Sequence, residues 1–104
     1  MTKKRIKIVI EFKKSIISAL VSNAGEFEDC AGFDQELFKR TNNEDLKFYF
    51  TTGTLKDIYL GILRALENNI KYPNKTSSEY NSLKSAKGIV ESEYKRQTGE
   101  KINL

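Results

Sequence analysis

Residues 46–70 read "LKFYFTTGTLKDIYLGILRALENNI", and the spacing of their apolar side chains changes partway along. Up to Thr51 the period is two. Leu46, Phe48 and Phe50 share one side, and Lys47, Tyr49 and Thr51 share the other. That is the alternation of a strand with one buried face. From Leu55 the period becomes helical, with Leu55, Ile58, Tyr59, Ile62, Leu63, Leu66 and Ile70 on one stripe. Between the two, Gly53 permits a sharp turn, Thr54 is a good N-cap, and Asp57 follows it at the third helical position. Burying this stripe contributes roughly 10–20 kcal/mol gross, and ordering the segment costs a similar amount. The helix therefore has to dock on the sheet to persist. The run "NNIKYP" ends it, because Pro73 forces Tyr72 into an extended conformation.

A second strand lies upstream in "KKRIKIVIEFKK" (residues 3–14). Ile6, Ile8, Ile10 and Phe12 alternate with Arg5, Lys7, Val9 and Glu11, and the β-branched residues reinforce the pattern. Residues 14–24 fit a short helix through Ile16, Ile17, Leu20, Val21 and Ala24, ended by Gly25. A strand there would need a hairpin turn made of Lys-Lys-Ser, which lacks Gly or Asn. With a helix in this place the two strands could run parallel through a right-handed crossover. With a strand the sheet becomes an antiparallel meander. Asp34 can cap a short helix bearing Leu37 and Phe38, with Lys39 and Arg40 in its last turn. Thr76 and Glu79 form a capping box that opens a final helix near residues 76–96. Its thin stripe is Tyr80, Leu83, Ala86, Val90 and Tyr94, with Ile89 alongside.

These elements predict one α+β domain over residues 1–96, followed by a flexible tail at 97–104. A small sheet of two to four strands is covered by two main C-terminal helices. Two strands alone are marginal, so a third strand or dimerisation across a sheet edge is expected.

Composition excludes more than it assigns. The chain has no His and a single cysteine, Cys30. Histidine-based acid–base catalysis, Ser-His-Asp triads, Cys-His pairs and a closed zinc site are all impossible within it. The acids around Cys30 favour a neutral thiol, so a buried structural cysteine is expected rather than a redox nucleophile. "EFEDCAGFDQE" lacks the spacing of a calcium loop. "TTGTLK" lacks the order of a phosphate-binding loop. Asp45 and Lys47 form the Asp-x-Lys fragment found in metal-dependent nucleases, which three residues match readily by chance; a plain strand edge explains them as well. No catalytic, metal or cofactor site is therefore assigned, and no small-molecule substrate is evident.

Charge is distributed in blocks. Residues 1–14 hold six basic residues and one acid, residues 15–50 three basic and seven acidic, and residues 51–104 nine and six. Blocks of opposite sign suit attraction within the chain or to a partner's patches. If the N-terminal block reads nucleic acid, the contacts are Lys3, Lys4, Arg5, Lys7, Lys13 and Lys14. If the last helix is an interface, Tyr80, Leu83, Ile89 and Tyr94 carry it, since semi-apolar tyrosine-bearing stripes suit protein surfaces. No run approaches the length of a membrane span, and the opening residues fail as a leader because Glu11, Lys13 and Lys14 break the apolar stretch. The expectation is a cytosolic, non-enzymatic accessory or regulatory protein that meets a protein partner or a second copy of itself. Nucleic-acid binding is the first alternative and metal-dependent cleavage the second. The abundance of Lys, Ile and Asn points to an AT-rich bacterial or phage genome.

Overall fold

The alternating run at the N-terminal end needs a backbone partner, and it finds one far along the chain. In the computed structural model, which describes residues 7–40, 44–71 and 77–103, β1 (Lys7–Phe12) pairs antiparallel with β2 (Leu46–Thr51). The register sets Lys7 opposite Thr51, Val9 opposite Tyr49, and Phe12 opposite Leu46. Ile8, Ile10, Phe12, Phe48 and Phe50 consequently share the buried face, as the period of two requires. The described residues form an α+β fold with one two-stranded sheet, four α-helices and a 3₁₀ turn.

Residues Lys14–Ser22 are helical (α1), yet the strands are not parallel. A second helix, α2 (Phe33–Arg40), follows a 3₁₀ turn at Ala24–Phe27 before β2 begins. A crossover to a parallel strand uses one helix. Here α1 leads away from the sheet, and α2, of nearly equal length, brings the chain back to the end where β1 stopped. The return is fixed by Asp45. Its Oδ1 accepts a hydrogen bond from the Lys14 backbone N–H at 2.9 Å, and its Oδ2 lies 3.8 Å from Lys13 Nζ. Lys13 occupies the N-cap of α1 without a side-chain cap of its own. Asp45 supplies that cap from the threshold of the other strand.

β2 passes directly into α3 (Thr52–Lys71) with no intervening loop. Thr51, not Thr54, caps the helix: its Oγ1 accepts from the Thr54 N–H at 3.2 Å. The helix begins earlier than the sequence pattern suggested because the last strand residue doubles as the cap. Its stripe is buried from Leu55 to Ala65, while Ile70 is exposed and Asn69 is buried instead. The Asn69 amide donates to the Ala65 carbonyl at 2.8 Å, which lets it turn inward. Gly61 sits where α3 meets the 3₁₀ turn. A Cβ there would lie 2.7 Å from the Glu26 carbonyl oxygen and 2.8 Å from the Phe27 ring.

α4 (Ser77–Thr98) packs on α3, on α1 and along β1. The two C-terminal helices thus pack on the sheet and close a continuous core from Ile8 to Ile102. Phe33 is its aromatic hub, edge-on to Phe27, Phe48 and Phe50 at centroid distances of 5.3–5.6 Å. Of the two apolar residues read on α2, Leu37 is buried and Phe38 is exposed. The segment read as a loose tail is held at two points: α4 continues to Thr98 with Gln97 bonded to β1, and Ile102 is buried. The capping residue Thr76 and the Tyr72–Pro73 stop lie outside the described residues.

Candidate functional site

A two-stranded sheet has two outer edges, and the fold treats them differently. Along β1 the Val9 N–H donates to Gln97 Oε1 at 2.9 Å, and Gln97 Nε2 donates to the Val9 carbonyl at 2.8 Å. The primary amide of one side chain thereby imitates a neighbouring strand. Gln97 is held in turn by Glu93, whose Oε1 accepts from Nε2 at 3.1 Å. Arg96 grips Glu93 through two bonds of 2.8 and 2.6 Å and holds its carboxyl below the usual range. Further along α4, Ile89 lies half-buried over a shallow depression of about 520 Å³ beside Glu11 and Lys13. At Val9, in the middle of β1, the third lane of the sheet is therefore taken by a side chain of α4.

The same hydrogen bonds define the other edge. In an antiparallel ladder, residues whose backbone groups point outward on one strand face residues that point outward on the other. Val9 points outward, so its partner Tyr49 does too, and so do Lys47 and Thr51. Among the described residues no backbone or side-chain group pairs with the outward groups of Lys47 or Tyr49. Beside them runs a groove of about 330 Å³, floored by the edges of Phe33, Phe48 and Phe50 and rimmed by Glu36 and Thr54. Its wall includes Ala31, which holds a left-handed backbone (φ 52°) just before Gly32 (φ 80°). That conformation costs a non-glycine residue about 1–2 kcal/mol, and it turns the chain sharply into α2.

Cys30 separates this groove from a second depression of about 260 Å³ lined by Glu26, Glu28, Asp29 and Asp57 with Arg64. Burial pushes the Cys30 thiol up to about 11, and Asp57, Asp29 and Asp34 add to the shift, with Arg64 opposing it. The thiol is therefore protonated and unreactive at neutral pH. Between α3 and α4 the Tyr59 hydroxyl donates to Glu91, which also lies 3.4 Å from Lys87 Nζ. Burial, then the Glu91 bond, raises Tyr59 to about 12, while that bond, with help from Lys87, lowers Glu91.

The residues nominated from sequence are scattered. Lys7, Lys13 and Lys14 are exposed, but Lys13 is paired with Asp45, and Lys7 projects from the sheet's outer face. Lys3, Lys4 and Arg5 lie outside the described residues. Leu83 and Tyr94 are core side chains, unavailable to a partner without unfolding α4. Tyr80 is half-buried with Lys84 over its ring at 5.7 Å, and Ile89 is half-buried. The stripe therefore serves the core first, because α4 packs against α1 and α3 together. Asp45 is occupied as a helix cap and Lys47 faces Glu11 across the strands. Among the described residues no cluster of three or more potential metal ligands exists, and no helix is long and apolar enough to cross a membrane. The open edge at Tyr49 escaped the sequence pattern, which shows which side chains share a face but not which strand edge remains unpaired. Comparison with protein families, curated proteins and solved structures finds no match.

Proposed function

We propose that this chain is a non-enzymatic binding domain, an accessory or regulatory protein that acts through contacts with another protein. The observation that carries this reading is that, among the described residues, nothing pairs with the outward groups of Lys47 and Tyr49 on β2, which lie beside a groove lined by aromatic rings. Natural sheets protect their edges with charges, prolines, bulges or covering elements. This fold covers β1 with α4 and leaves β2 with one lysine and one exposed tyrosine facing solvent. Composition supports the same reading, since a chain without histidine lacks the commonest general acid–base group. A cytoplasmic setting in an AT-rich bacterium or mobile element fits the single reduced cysteine and the Lys, Ile and Asn bias. The test is a photo-crosslinking amino acid placed at Tyr49 and, as control, at Lys84 in the source cell. A discrete adduct with another polypeptide at Tyr49 and none at Lys84 is the expected result. No adduct at either position, or equal adducts at both, counts against the reading.

Nucleic-acid binding has one observation in its favour. Tyr49 stands 65% exposed on the outer face of the sheet, flanked by Lys47 and across from the Lys7 strand. Sheet-based RNA binders use such a face, although with two or three stacked aromatics where this one has a single ring. Neutralising Lys3, Lys4, Lys13 and Lys14 should abolish a salt-sensitive mobility shift and leave the circular dichroism spectrum unchanged. Absence of any shift at low salt removes this reading.

A further inference from the structure

We infer that the outer edge of β2 accepts a third strand from a partner protein, an extended segment with apolar side chains at alternate positions and basic residues at its flanks. The inference rests on the protein-binding reading and specifies the partner's chemistry.

The outward N–H and C=O groups of Lys47 and Tyr49 repeat at strand spacing, and an extended backbone is the complement that satisfies both kinds of group at that interval. The equivalent lane beside β1 is occupied by Gln97 and α4, so strand addition has one direction in which to proceed. A strand laid along β2 would direct every second side chain to the groove side, toward Phe33, Phe48 and Phe50. Its remaining side chains would join Lys47 and Tyr49 on the wet face. Charge selects the flanks. Glu36 stands at the groove, and the adjoining depression presents four carboxylates against the single guanidinium of Arg64. A second copy of this chain is a poor occupant. Its own Phe48 and Phe50 are already buried in its core and unable to fill a neighbour's groove. Two-fold pairing of β2 would also set two acidic rims against each other along an edge of six residues.

The experiment is selection of the full chain against displayed random peptides of about nine residues, long enough to span the edge. Recovered peptides should alternate apolar and polar positions, carry net positive charge, and bind Tyr49→Pro about tenfold or more weakly. Proline at this position removes an outward donor and leaves the β1–β2 bonds in place. Should Tyr49→Pro lose its fold by circular dichroism, the paired change Asp29→Lys with Glu36→Lys, both at exposed positions, is the independent variant. It should weaken the same peptides by about tenfold. Peptides that hold equally well to both variants overturn the inference and leave the protein-binding reading standing on another surface. Acidic peptides, or none above background, also overturn it, and the Tyr49 crosslink then decides the broader reading separately. A dimer in light scattering that Tyr49→Pro converts to monomer gives the edge to a second copy and sinks the inference.

Discussion

The outer edges of β1 and β2 present the same chemistry, backbone N–H and C=O groups at strand spacing. One is closed at its middle residue, Val9, by a glutamine amide delivered from α4, and the other faces a groove. The closed edge is built into the scaffold: Arg96 holds Glu93, Glu93 steadies Gln97, and Gln97 completes Val9. The open edge is flanked by Ala31–Gly32, where the backbone is left-handed, and by a depression lined by four carboxylates. The difference teaches that a two-stranded sheet, marginal alone, is stabilised here from one side by a helix that replaces a strand. Among the described residues the other side is left as a surface.

The largest effect should come from the ring beneath the open edge. Phe33→Ala removes the hub that touches Phe27, Phe48 and Phe50. It should cost about 3–5 kcal/mol in urea denaturation. A loss below about 1 kcal/mol would mean that this side is not packed as described. Gly61→Ala probes the support behind the acidic rim. The added methyl meets backbone and ring atoms closer than contact distance, so destabilisation of roughly 1–3 kcal/mol is expected despite alanine's better helix propensity. Next comes the comparison itself. Gln97→Ala strips the closed edge and should cost about 1–2 kcal/mol, whereas Tyr49→Ala at the open edge should change stability by less than about 0.5 kcal/mol. Equal costs would erase the asymmetry.

A pH dependence tests a separate contact, the Tyr59–Glu91 bond between α3 and α4. Tyr59 has its folded value raised from 10.0 to about 12. The neutral hydroxyl's contribution is complete below about pH 10 and is lost as pH rises toward 12. Tyr59→Phe should flatten that alkaline decline in a thermal-melt series. An unchanged decline would show that the Tyr59–Glu91 bond is not its source. Glu91, lowered by the same bond, contributes above its ordinary carboxylate range and loses that contribution as pH falls through its depressed folded value.

Much of the scaffold was legible from periodicity. The two strands, their buried faces and the two long helices follow from spacings of two and of three to four residues. Topology was not legible, because strand direction depends on where the connection ends. The decisive contact, Asp45 capping α1, links residues that no local pattern joins. Helix starts shifted for a related reason: Thr51 serves strand and cap at once. The C-terminal end read as a tail because its run beyond Gln97 is polar, whereas its anchors are a single amide and the isolated Ile102. The tyrosine stripe of α4 suited an interface equally well in sequence, and only the packing of α1 and α3 against it assigns Leu83 and Tyr94 to the core. The candidate site was the least legible part, since an unpaired edge is a property of the ladder rather than of any residue type.

Amide hydrogen exchange of the free, monomeric domain tests the central claim most directly. The Val9 amide, closed by Gln97, should be protected to the level of the core helices, and the Tyr49 and Lys47 amides should exchange at rates near those of unstructured peptide. Protection of Tyr49 equal to that of Val9 in the monomer, or exchange of Val9 as fast as Tyr49, would contradict the account.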